Sequence, residues 1–175
     1  MCNFVAIGSN VFLFKASPYV KLGGYPLSKQ LSGDITVANT FVGTFRYMGP
    51  ELLLHEGRDE PVYNPMQADM HSMGVLIWEI LSGTALYSWM EEGLPGIRKA
   101  FLRAVETGNL HDHPLLLKQS NPPDMPQHQG IINTIWECMK QMLMVDPRGR
   151  LTIDDFMNAL TISGALDVMK TYTEA

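Results

Sequence analysis

Between Asp69 and Leu81 the chain carries apolar side chains almost all the way round a helix. Met70, Met73, Leu76, Ile77, Ile80 and Leu81 recur at helical spacing, with Val75 and Trp78 elsewhere on the circumference. The spacing predicts a helix over 69–81, and a helix apolar on every side must be enclosed by other elements. Asp69 stands at its expected start, where a carboxylate can accept from unpaired amides. Ser82-Gly83 is expected to end it.

The chain has 175 residues, enough for one domain with a core around such a helix. With 46% apolar and 18% charged residues, it reads as a folded protein and not a disordered tail. Its net charge is −5 and no Lys/Arg cluster tracks a phosphate backbone, which argues against nucleic acid as a partner. Cys2 and Cys138 give neither a disulfide framework nor metal spacing, so a reducing, cytoplasmic setting is expected. Met73 to Leu81, interrupted by Glu79, is too short to span a membrane, and the N-terminus lacks the basic start of a signal peptide.

Along the chain, residues 4–14 and 19–22 are β-leaning, separated by the turn-like Lys15 to Pro18. Ser28 to Asn39 reads as a loop, and Pro50 can open a short helix over Glu51 to Glu56. Further helices are expected over Ile97 to Thr107, ended by Gly108, and over Ile131 to Val145, stopped by Asp146-Pro147. The Pro-, His- and Asn-rich stretch 109–129 reads as a long loop. Thr152 to Asp155 is similar to a capping box and predicts a last helix, Ile153 to Leu160.

Three short runs remain. Thr40-Phe41-Val42-Gly43-Thr44 leads to Gly49-Pro50-Glu51, Ala68 to Val75 opens the apolar helix, and Asp146-Pro147-Arg148-Gly149-Arg150 follows the helix over 131–145. In this order they resemble the C-terminal lobe of a protein kinase from the catalytic loop onward, over about residues 3–161. The first run resembles the end of the activation segment, with Gly49 where the family usually has Ala. The resemblance implies a mainly α fold with a short β-hairpin-like N-terminal part and the N-terminal lobe absent. A partial kinase-like domain over 1–161 and a tail over 162–175 follow. It also implies an ion pair between Glu51 and Arg150, and a substrate-pocket loop containing Thr44 and Tyr47. Thr36 and Thr40 precede Phe41 to Thr44 in a way similar to MAP kinase kinases, which carry two phosphorylatable hydroxyls at this place. As candidate phosphosites they stand against a plain reading as loop hydroxyls.

The catalytic positions depart from the family. The kinase loop wants His-Arg-Asp and then an Asn five residues after the Asp. If Asn10 is that Asn, Val5 occupies the Asp position, with Phe4 and Asn3 before it. Valine cannot accept a proton, and losing a positioned base costs on the order of 10²–10⁴ in rate. Gly24, before Tyr25 and Pro26, stands where the family's magnesium-binding Asp belongs, and glycine offers no carboxylate. No acidic residue occurs between Met1 and Gly33, so a shifted alignment would not restore one.

Plain structural roles compete with several of these readings. Asn10 alone suits a turn better than a metal site. Thr44 suits structure better than substrate choice, because its expected partners are Val5 and Ile7. His111-Asp112-His113 is too small a cluster to argue for a metal, and none is expected. The twelve methionines read as adaptable core. The expected function is thus an inactive kinase-like lobe with no cofactor, acting through protein partners that include other kinases. A partner or self-association would cover the Asp69–Leu81 helix. The alternative is a segment of an active Ser/Thr or dual-specificity kinase using Mg-ATP, and a helical interaction module is a third reading.

Overall fold

The computed structural model describes residues 4–7, 11–14, 20–23, 44–55, 63–108 and 113–168. Three short strands come first: β1 (Phe4–Ile7), β2 (Val11–Phe14) and β3 (Val20–Leu22). They form one antiparallel sheet in the order β1-β2-β3, with Val5 opposite Leu13 and Val11 opposite both Ile7 and Leu22. Branched and aromatic residues suit a pleated surface, which is why these runs extend.

From residue 50 onward the described residues are mainly helical: α1 (Pro50–Leu53), α2 (Pro65–Ser82), α3 (Leu94–Thr107), α4 (Pro114–Lys118), α5 (Gln129–Met142) and α6 (Ile153–Ile162). This is the mainly α architecture expected from the sequence, with short strands confined to the N-terminal part.

The apolar helix is longer than its pattern suggested. α2 begins at Pro65, where the proline's fixed φ suits a first turn, and its cap is Asn64, not Asp69. The Asn64 side chain accepts from the amides of Met66 and Gln67 at 3.0 and 3.3 Å. Asp69 lies inside the helix, exposed, and opens nothing. At the other end Gly83 takes the left-handed conformation (φ 61°) and its N–H closes on the Glu79 carbonyl.

α2 packs on α5 through Gly74, where a Cβ would lie 2.8 Å from the Met142 Cβ. That close approach brings Val75 and Trp78, both fully buried, into one core with Phe101, Trp136, Met139 and Leu143. A smaller cluster joins Met70, Cys138, Met142, Phe156, Leu160 and Ala165. The α2 residues set aside as lying elsewhere on the circumference are therefore the deepest. Met66 (56% exposed) and Ile80 (53%) face outward among the described residues.

The remaining helices shift at their ends. α3 starts at Leu94, before the expected Ile97, because Pro95 again occupies a first turn. The stretch expected as loop contains α4, opened by Pro114, and a single tight turn over Pro126–His128. α5 starts earlier and stops earlier than the expected 131–145. Thr152 and Asp155 form the capping box foreseen for α6, which runs on to Ile162.

Candidate functional site

The 44–53 segment carries several long-range hydrogen bonds, which tie it to α2, to α3, to Leu86 and to Arg150 beyond α5. Thr44 is exposed, and its carbonyl accepts from the Tyr47 N–H at 3.0 Å to make a turn. Arg46 lies over the Phe45 ring and donates to the Leu86 carbonyl beyond α2. Tyr47 is joined to α2 at three points. Its hydroxyl donates to Glu79 Oε2 at 2.9 Å, and its carbonyl accepts from Ser72 Oγ at 3.0 Å and from His71 Nδ1 at 3.3 Å. Burial first, and then the Glu79 carboxylate, push the Tyr47 hydroxyl pKa up to about 12, so it stays a donor.

Glu51, in α1, meets Arg150 beyond α5. Arg150 donates to both carboxylate oxygens at 2.7 Å and also to the carbonyls of Gln67 and Met144 at 2.8 Å. The guanidinium side chain is fully buried. A buried cation with a bidentate partner and two carbonyls has its fork of donors satisfied, the condition under which such a charge is tolerated inside a protein. Arg98 of α3 completes the anchor by donating to the Leu53 carbonyl at 2.7 Å.

Behind Tyr47 lie two fully buried histidines, His71 on α2 and His113 at the start of α4. Their Nε2 atoms are 3.3 Å apart. The partners fix the tautomers. The Tyr47 carbonyl can only accept, so His71 Nδ1 carries the proton and its Nε2 accepts. His113 Nδ1 accepts from the Leu115 N–H at 3.3 Å, so its Nε2 carries the proton and donates to His71. Burial lowers both pKa values, and Arg150 lowers them further, to about 3 for His71. The Phe101 ring of α3 packs against both imidazoles.

Of the site residues read from the sequence, Tyr47, Glu51 and Arg150 are drawn together through α2, whereas Asp69 stands apart from them. Val5 lies in β1, its backbone paired opposite Leu13. Asn10, Gly24, Thr36 and Thr40 lie outside the described residues, as do His111 and Asp112. His113 joins His71, not a metal-ligand cluster, and no group of three His, Cys, Asp or Glu side chains is placed to hold a metal among the described residues. No helix among them is long and apolar enough to cross a membrane. His71, Ser72, Glu79 and Arg98 were missed. The one available signal was a histidine inside an otherwise apolar helix, since a buried imidazole requires a partner.

The arrangement is that of an anchor. It fixes the end of a segment against α2, α3 and the turn after α5, and its polar groups are engaged with one another.

A family model described as the protein kinase domain matches residues 8–160. The probable serine/threonine-protein kinase nek3 of Dictyostelium discoideum is 26% identical over 162 residues, which cover 91% of this chain and 12% of that protein. Mitogen-activated protein kinase kinase kinase 13-B of Xenopus laevis is 31% identical over 155 residues, 89% of this chain and 13% of its own length. Human cGMP-dependent protein kinase 2 is 28% identical over 156 residues, 79% of this chain and 19% of its own. The chain therefore spans only 12% to 19% of the length of these relatives.

Proposed function

Because this chain belongs to the protein kinase domain family, we propose that it is a serine/threonine kinase-like lobe that has lost phosphoryl transfer and acts by binding other proteins. The observation that carries this is the absence of any acidic residue between Met1 and Gly33. Val5 and Gly24 stand where the kinase resemblance expects the base and the magnesium-holding Asp.

The donors present do not suit the magnesium ion that the family implies. Such hard cations prefer oxygen ligands, and of the residues at the expected positions only Asn10 brings one. Phosphoryl transfer rests on positioning and electrostatic stabilisation, and without the base and the metal ligand this chain supplies neither. The spacing of Thr36 and Thr40 supports placing it near MAP kinase kinases, with a kinase as its partner and the cytoplasm as its setting.

The anchor built on Glu51 and Arg150 favours a second reading. In it the chain is a segment of an active Ser/Thr or dual-specificity kinase, and the rest of that protein brings Mg-ATP chemistry. Incubating the purified chain with Mg-ATP and a MAP kinase separates the two. No phosphate transfer and no thermal shift with Mg-ATP are expected. Transfer abolished by Asn10→Ala overturns the first reading.

A further inference from the structure

We propose that Arg46 and Lys118, each carried on an aromatic ring and joined through residues 86–89, form a docking surface for an acidic segment of a partner protein, one with carboxylates on either side of an aliphatic side chain. This surface would give the protein-binding lobe proposed above its partner chemistry. Its test is peptide binding, so its failure is distinct from an unexpected phosphate transfer.

Arg46 is exposed, yet its guanidinium is held on two sides. It lies 5.4 Å from the centre of the Phe45 ring and donates one N–H to the Leu86 carbonyl. A guanidinium has five donors, so most of the fork is left for a ligand. Lys118, exposed at the end of α4, places its ammonium 5.5 Å from the centre of the Trp89 ring. Both separations fall within the ~6 Å reach of a cation–π contact. Cations fixed in this way lose less side-chain freedom on binding than free ones do.

Neither cation forms an ion pair among the described residues. Lys99 and Arg103 of α3 are exposed as well, but no aromatic ring of the described residues holds either of them. Glu91 and Glu92 follow Trp89 in the chain, exposed, and pair with neither Arg46 nor Lys118. In a chain of net charge −5 the two cations are a local reversal of sign. Two are too few to track a phosphate backbone, and the acidic remainder of the chain repels a long polyanion. A short acidic segment matches them.

The link between the two rings is held at a cost. Tyr87 takes φ 54°, a left-handed conformation unfavourable for an aromatic residue, and its buried hydroxyl finds no partner among the described residues. The residue before it supplies the carbonyl that holds Arg46, and its own ring centre lies 5.8 Å from that of Trp89. The cost thus falls on the residue that joins the two cation platforms. Strain of this kind collects at ligand clamps, where surrounding contacts over-determine it. Phe45 and Trp89 are only partly buried, and Leu117 beside Lys118 is 63% exposed, so apolar surface accompanies the charges. That combination favours carboxylates flanking an aliphatic side chain over a free anion.

The full chain is titrated with a synthetic peptide in which two glutamates stand on each side of a leucine, and nitrogen-15 spectra follow the tryptophan indoles and the Arg46 side chain. Of the three tryptophans, Trp78 and Trp136 are fully buried, so Trp89 is the reporter. The Trp89 indole and Arg46 Nε should shift and saturate while Trp136 stays still. Arg46→Gln and Lys118→Gln should each weaken binding roughly two- to fivefold, and the charge-matched Arg103→Gln should leave it unchanged. A peptide with glutamines in place of the glutamates should bind about tenfold more weakly, the product of two such pairs. Lys118→Gln removes no hydrogen bond of the described residues, so it remains decisive if Arg46→Gln disturbs the neighbouring loop. No shift at Trp89, equal binding of the glutamine peptide, an equal loss in Arg103→Gln, or binding only when phosphoserine replaces glutamate overturns the proposal.

Discussion

Arg150 grips both carboxylate oxygens of Glu51 at 2.7 Å across 99 positions of chain. The same guanidinium reaches the Gln67 and Met144 carbonyls, so it joins α1, α2 and the turn after α5 at one point. Removing either partner leaves the other charge buried and unmatched. Glu51→Ala should therefore lower stability by about 3–5 kcal/mol, measured by urea unfolding. A double replacement by apolar residues of similar volume should recover part of that loss. A Glu51→Ala loss below about 1 kcal/mol would place the pair among solvent-screened surface bridges.

Gly74 sets the distance between α2 and α5. A methyl group there would meet the Met142 Cβ at 2.8 Å and Leu143 Cδ2 at 3.2 Å. The Met142 Cβ sits at the base of its side chain and cannot swing aside, so the helices themselves must part. Gly74→Ala should cost about 1–3 kcal/mol even though alanine favours helix formation. Thermal unfolding checks the sign, and a gain in stability would mean that the two helices slide without loss.

Asn64→Ala should destabilise the fold by about 0.5–2 kcal/mol, because it removes the acceptor for two α2 amides. Asp69→Ala should change stability by no more than about 0.5 kcal/mol, the usual range for an exposed helical position. A comparison of the two by chemical denaturation locates the true cap. The reverse order would return that role to Asp69.

What the sequence made legible follows from where its signals come from. The apolar periods of α2, α5 and α6 are imposed by packing, so these helices could be found from 70–81, 132–143 and 153–160. The starts of α2 and α3 were harder, because Asn64-Pro65 and Gly93-Leu94-Pro95 look like breakers until the proline is recognised as a first-turn residue. α4 has only five residues and shows no period at all. The Glu51–Arg150 pair was legible through motif resemblance. The His71–His113 contact was not, since a bond between residues 42 positions apart leaves no mark in local pattern.

Stability should fall in mild acid. Burial and Arg150 hold both histidines below their ordinary pKa of 6.5, so the native rings stay neutral while the unfolded rings take up protons as pH drops through that value. The unfolded state then binds more protons, and stability rises with pH over the window between about 3 and 6.5. Just below pH 6.5 each ring contributes up to about 1.4 kcal/mol per pH unit. Urea midpoints at closely spaced pH values give the slope. A flat profile from pH 6.5 downward would mean that the rings titrate normally in the folded protein.

Tyr47→Phe isolates the hydroxyl of the residue on which the anchor turns. The ring is retained, and so are the bonds that the Tyr47 carbonyl accepts from Ser72 and His71. Only the donor to Glu79 disappears. A hydrogen bond to a charged acceptor contributes about 1.5–3 kcal/mol when buried, but Glu79 is only half-buried, so a loss near 1 kcal/mol is expected. Glu79→Gln keeps an acceptor and should lose less. If urea unfolding shows Tyr47→Phe to be neutral, water already solvates the Glu79 carboxylate, and the segment depends on its carbonyl bonds alone.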